Sequence, residues 1–312
     1  MYDVICIGSS LIDIFISSND LEADRDGERQ ILTYGDKLEL TDFHLFTGGG
    51  ASNTAVAFAR LGLHSAVISE TGRDEFSGLI TADLQKEGVA SNLLIQEKIE
   101  RTGGSVVLVA KDSARVAMVH RGAASMLDPF DIPSFWLTKS RLVHLSSIGG
   151  RLETLEKIFK TINSNQETKL SWNPGKAELA LLVEQKIAIA QIPCEMFFVN
   201  QEEWELLDAV QEEILLHFPQ VIITKGKAGG EVHLFGKKAF EFVGDAKQLV
   251  DSTGAGDAFA AGYLAAILYK QEVAQAIAWG VKNAANVVAY FGAKTGLLRY
   301  NQIIELTKRQ AV

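Results

Sequence analysis

Apolar positions along this chain follow two alternating rhythms. Short continuous runs read as buried strands: "DVICIG" (3–8), "SAVISETG" (65–72), "LVHLSS" (142–147), "KLSWN" (169–173), "EMFFVN" (195–200) and "QVIITKG" (220–226). Between them lie segments with helical spacing and glycine stops, "ASNTAVAFARLG" (51–62) and "SGLITADLQKEGV" (77–89), and the amphipathic runs 152–162 and 201–211. "EVHLFG" and "KAFEFVG" (231–244) predict a hairpin around Gly236-Lys237. From about Ser252 onward helices dominate. This β–α alternation predicts an α/β fold, a three-layer sandwich with a mostly parallel central sheet flanked by helices. Residues 12–46 and 98–123 break the rhythm. Both read as strands and turns, and together they would make either a small β-sheet lid over one face or an ordinary edge hairpin. The core would then comprise 1–11, 47–97 and 124–312.

Composition narrows the function. The chain has 312 residues, 47% hydrophobic and 22% charged, enough for a sizeable core. Its net charge of −9 argues against nucleic acid as a partner. The N-terminus carries no basic, apolar leader pattern, and the apolar stretch near 258–269 is interrupted by Gly262 and too short to span a bilayer, so a cytoplasmic protein without membrane contact is expected. Two cysteines, Cys6 and Cys194, show no metal-site spacing; a bridge between them is allowed but not implied.

The densest chemistry lies in "VDSTGAGDAF" (250–259), which runs straight into a helix-prone apolar segment. Helix N-termini leave N–H groups unpaired and carry positive partial charge, so they suit anions. Gly254 and Gly256 would let the backbone fold tightly and an anion approach, with Ala255 between them. Asp257 would repel a phosphate there unless it accepts a proton from an attacking hydroxyl; the bland alternative is a first-turn acid satisfying the dipole. The dipole should also keep its pKa low, tolerable in phosphoryl transfer, where the base mainly aligns the nucleophile. A second glycine run, "FTGGGASN" (46–53), also enters a helix. Gly48, Gly49 and Gly50 permit close approach, and Asn53 offers a donor and an acceptor. Asp13, just after the first strand, could accept from two hydroxyls of a polyol or be a loop aspartate. Asn200 and Glu203 at a strand–helix junction could reach a hydrated Mg²⁺, although a reciprocal helix cap explains them more simply.

Together these segments resemble the ribokinase-like (pfkB-type) carbohydrate kinase family. "GGGASNTAVAFARLG" is similar to its N-terminal signature and "DSTGAGDAF" to its C-terminal one; "NQEE", "TKGKAGG" and "NAANVVAYFGAKTG" match further family segments in order. The resemblance implies ATP-dependent phosphorylation of a primary hydroxyl on a sugar or sugar acid, with a nucleoside kinase or a catalytically silent binding protein as alternatives. It makes Asp257 the base and Gly254, Ala255 and Gly256 the anion hole. Asp13, Gly49, Gly50 and Asn53 would hold the acceptor, and Asn200 and Glu203 the Mg²⁺–phosphate water network. Thr224, Gly226, Gly229 and Asn283 would line the nucleotide side. Asp251, with Thr253, matches a monovalent-cation loop, where K⁺ would bind. Gly50 stands where members often have Lys, and Trp172 and Lys176 depart from a family D-x-N-x-R segment, leaving Lys176 as a phosphate contact or a solvated lysine. Arg121 would contact an anionic substrate group or be a surface arginine. For a nucleoside acceptor, Phe15, Phe46 or Trp136 would supply part of a base slot. An exposed lid edge invites pairing into a homodimer.

Overall fold

Strand-forming runs that are apolar at every position need cover on both faces, and "VICI" shows how the chain supplies it. All four residues of Val4–Ile7 are fully buried. Val4 and Cys6 enter one hydrophobic core, while Ile5 and Ile7 enter a second on the opposite face. In this computed structural model the described residues are 1–23, 29–96, 99–110, 115–165, 167–245 and 248–308. Positions 24–28, 98 and 111–114 of the two irregular segments therefore lie outside the described residues.

A nine-stranded sheet forms the middle layer. Its order is Lys237–Phe242, Gly230–Leu234, Gln220–Thr224, Cys194–Asn200, Lys169–Trp172, Leu142–Leu145, Val4–Ile7, Ser65–Thr71 and Leu94–Gln96. The 231–244 hairpin is its antiparallel edge, and the other pairings are parallel. Helices Gly50–Arg60, Ala255–Leu268 and Val273–Val287 cover one face. Leu152–Asn163 and Lys176–Val183 cover the other. Cys6 and Cys194 are buried free thiols. No described helix is long and apolar enough to cross a membrane.

The irregular segments form a separate four-stranded sheet, ordered Asp42–Gly48, Leu11–Ser17, Gly104–Val109, Arg115–His120. Asp13 is thus a strand residue rather than a loop one. The expected 201–211 helix is also different: it divides into Gln201–Leu206, a 3₁₀ turn Asp208–Val210, and Gln211–His217. The tighter turn lets Leu207 and Val210 both reach the core. In the parallel part of the sheet, polar residues collect where strands end: Ser146, Asn173, Asn200 and Thr224 all lie at C-terminal strand ends, the edge where open α/β sheets place their ligands.

Candidate active site

The helix Ala255–Leu268 begins on Gly254, whose φ of 77° is left-handed. A side chain there would strain the backbone and collide with Ala293. Gly256 differs: its backbone is helical and a Cβ would meet nothing within 4 Å. Its glycine is not needed for the turn and instead leaves open the space shared by two adjoining cavities. Among the described residues, the Gly256 and Asp257 N–H groups have no protein acceptor. They face a cavity lined by Asn173, Asn200, Glu203, Thr224, Gly254 and Asp257, so unpaired amides and polar side chains converge on one space.

The second glycine turn meets the first. Gly49 caps the helix Gly50–Arg60 at φ 96°, pressed against the Ser9 carbonyl. In the first turn of that helix, Asn53 Nδ2 donates to Asp257 Oδ2 at 2.8 Å, joining residues 204 positions apart. A carboxylate only accepts, so this bond fixes the amide orientation and leaves Asn53 Oδ1 as the outward acceptor. That atom is buried and has no partner among the described residues. Part of Asp257 stays accessible, yet its carboxyl is desolvated by the surrounding protein. Burial pushes its pKa up to about 6, outweighing the Asn53 hydrogen bond. The expected low pKa is therefore overturned: desolvation dominates over the helix dipole.

Asp13 lies against Gly48 at the edge of the same turn. Ser105 Oγ donates to its Oδ1 at 2.5 Å. Burial raises the Asp13 pKa, and nearby Asp251 adds to this against the Ser105 hydroxyl and the Lys294 charge. Ser146 is a neighbour that sequence reasoning missed. A Cβ on Gly50 would sit 2.6 Å from Ser146 Oγ and 3.8 Å from Asp257 Oδ1, so the hydroxyl and the carboxylate flank the bare Gly50 backbone. Its only sequence signal was a serine closing a buried strand.

On the other side of Gly256, an apolar slot is lined by Phe242, Leu249, Phe259, Val281, Ala284 and Val288, with Thr224, Gly226 and Gly229 at one wall. Asn283, expected to line this side, is fully buried beside it. Its Nδ2 donates to the Ala258 carbonyl and its Oδ1 accepts from Leu298 N–H, tying two segments together. Asn200 and Glu203 form a reciprocal cap: Asn200 Oδ1 accepts from Glu203 N (2.9 Å), and Glu203 Oε2 accepts from Asn200 N (2.8 Å). They also line the polar cavity, so capping and facing the cavity coexist. Burial raises the Glu203 pKa. Lys176 is exposed at its helix start, close enough for its charge to oppose that rise.

Asp251 Oδ1 accepts from Thr253 N (2.9 Å) and Oγ1 (2.7 Å), and Oδ2 accepts from Gly292 N (3.1 Å). These hydrogen bonds shape the loop that carries Thr253 and tie it to Gly292. Arg121 is exposed and lies outside the lining of both cavities. Phe15 and Phe46 pack together on the strands that carry Asp13 and the Gly48 turn, but Trp136 packs on Tyr2 and Phe135 elsewhere.

Comparisons with known proteins identify the family. Residues 1–299 match the pfkB family carbohydrate kinase profile. A nucleoside kinase of Methanocaldococcus jannaschii is 25% identical over 279 residues, covering 88% of this chain and 90% of that protein. An Escherichia coli fructokinase is 30% identical over 242 residues, covering 70% and 75%. Among solved structures, Arabidopsis thaliana ribokinase complexed with ribose and ATP superposes with a TM-score of 0.78 at 19% identity, covering 98% of this chain and 99% of that one. The chain belongs to the pfkB family of carbohydrate kinases, phosphotransferases that act on an alcohol acceptor.

Proposed function

We infer that this protein transfers the γ-phosphate of ATP to a primary hydroxyl of a sugar-like acceptor held between Asp257, Asn53 and Asp13. The observation that carries this reading is the Asn53–Asp257 hydrogen bond, which brings a carboxylate, an unpartnered amide oxygen and unpaired helix amides to one point. Asp257 orients the attacking hydroxyl and receives its proton. The amides of Gly256 and Asp257 stabilise the charge on the transferring phosphoryl group, while the Ala255 amide of the expected anion hole is already engaged by the Ser252 carbonyl (3.2 Å). The nucleotide base would enter the apolar slot and the triphosphate would run past Gly256. Among the described residues no cluster of three His, Cys, Asp or Glu could grip a metal directly. Mg²⁺ fits as an ion carried by ATP and reached through water from Glu203, in keeping with its reluctance to dehydrate.

The acceptor side offers oxygens that accept: Asp13, Asn53 Oδ1 and Asp257. A molecule rich in hydroxyl donors satisfies all three. A nucleoside is the second reading. His44 stacks between Phe46 (5.9 Å, 25°) and Phe291 (5.7 Å, 22°), and Phe15 meets the edge of Phe46, giving an aromatic wall near Asp13 on which a base could lie. The small sheet acts as a lid over the acceptor. Its outer strand exposes Val116, Met118 and Val119, through which two copies would pair.

The deciding experiment is ADP release from Mg²⁺–ATP, with and without K⁺, across sugars, sugar acids, sugar phosphates and nucleosides. Turnover with neutral polyols is expected. Nucleotide binding without ADP release from any acceptor would favour a silent binding protein. Arg121→Ala should leave turnover of neutral acceptors unchanged.

A further inference from the structure

The loop 291–294 touches distant parts of the molecule at once. Gly292 N–H reaches Asp251, and Gly292 also lies under the Phe46 ring. Ala293 is the residue packed against Gly254, where the turn of unpaired amides begins. Lys294 Nζ donates to Thr47 Oγ1 and to Asp83 Oδ2, each at 2.5 Å, and Thr47 Oγ1 donates to the same Asp83 oxygen at 2.5 Å. Thr47 directly precedes the Gly48–Gly50 turn on the small sheet's strand Asp42–Gly48. Asp83 belongs to the helix Glu75–Lys86 of the main body. The Lys294 side chain is 11% exposed, so this three-way knot is screened little by solvent.

The same helix holds a second root of the small sheet, and the two differ. Its N-cap, Asp74, accepts from Thr102 N (2.8 Å) and Thr102 Oγ1 (2.6 Å), two residues before the strand Gly104–Val109. Neither Asp74 nor Thr102 bonds to the 291–294 loop among the described residues. The Asp83 root, by contrast, shares a cation with the loop that abuts Gly254. Burial alone would raise the Asp83 pKa, but the Lys294 charge and the Thr47 hydroxyl hold it below the usual carboxylate range.

We propose that Lys294 is a positioning residue that couples the small sheet's root at Thr47 to the amide turn at 254–257, so that movement of one is felt by the other. An ammonium is well suited to this, because it can serve a hydroxyl and a carboxylate together in a charge-assisted network. The catalytic meaning, acceptor closure tightening the phosphate cradle, rests on the kinase reading above. The mechanical coupling does not.

Hydrogen exchange on the ligand-free chain separates the two. Thr47→Val removes the hydroxyl and keeps the lysine–aspartate pair; Thr102→Val loosens the other root as a control. Thr47→Val should speed exchange by about tenfold in segments 250–258 and 288–293 as well as in 42–48, while Thr102→Val leaves the first two within about twofold. Lys294→Met should act in the same direction more strongly, and Lys294→Arg should recover part of the protection. A Thr47→Val effect confined to 42–48, or an equal effect of Thr102→Val on 250–258, would overturn the proposal. In a second measurement, Mg²⁺ with adenylyl imidodiphosphate should protect 42–48 in the wild-type chain but not in Thr47→Val. Failure of that analogue to bind the wild-type chain at all would count against the nucleotide site, leaving the ligand-free result to judge the coupling.

Discussion

Two glycine turns in this protein look alike in sequence and do different things. At Gly48–Gly50 most of the leading helix amides are already spent: Gly50 N–H donates to Ser9 Oγ (3.2 Å), Ala51 N–H to the Ser9 carbonyl (3.1 Å) and Asn53 N–H to the Gly49 carbonyl (2.8 Å), leaving Ser52 N–H without an acceptor among the described residues. The close approach these glycines permit is made by the chain itself, at Ser9 and Ser146. At Gly254–Asp257 the amides of Gly256 and Asp257 remain unpaired among the described residues and face a polar cavity. A helix N-terminus is an anion site only when its N–H groups are free. The first turn presents the Asn53 side chain to Asp257, and the second leaves the Gly256 and Asp257 amides open to the cavity.

The sharpest way to break this contrast is Asp257→Asn. Loss of the base should lower kcat by about 10²–10⁴-fold with nucleotide affinity little changed, measured by steady-state assay and calorimetry. Near-normal turnover would remove Asp257 from its role. Next in size is the pair Gly254→Val and Gly256→Val. The first should destabilise the fold, since the left-handed backbone and Ala293 both oppose it. The second should leave the melting temperature nearly unchanged but cost about tenfold or more in nucleotide affinity by filling the open space.

A smaller effect tests the Asn53 link. Asp257 must be ionised to accept a proton, so kcat/KM should fall as pH drops through about 6. The Asn53 hydrogen bond favours the ionised form. Asn53→Ala should therefore move this acid limb to higher pH, on top of weaker acceptor binding, and an unmoved limb would show that the bond does not tune the base. The smallest change is Gly50→Ala, which crowds Ser146. It should raise the acceptor KM by a few-fold, with Ser146→Gly in the same chain restoring part of it, because only a contact of this kind is relieved by trimming its partner.

Much of this architecture was legible in the sequence. The apolar runs and glycine stops placed the parallel strands and their covering helices, because a strand buried on both faces must be apolar throughout. The two signature segments located Asp257 and Asn53. The backbone ties made by Asn283 were not legible, because an asparagine near a ligand and one tying two backbones look identical in sequence. Ser105 and Lys294 left no signal, since their partners Asp13 and Thr47 are 92 and 247 positions away. Ser146 left little, since what it meets is bare glycine backbone.

The amino-acid order by itself determined the layers and the glycine turns, because periodicity and backbone freedom are local properties, and its signature segment singled out Asp257 as the candidate carboxylate. Only the tertiary structure decided which amides stay unpaired, that Asp257 is desolvated to a pKa of about 6, and that Lys294 joins the small sheet's root to the main body beside the site. Those depend on which distant segments crowd around each group, and a dielectric environment or a hydrogen-bond partner is set by neighbours in space.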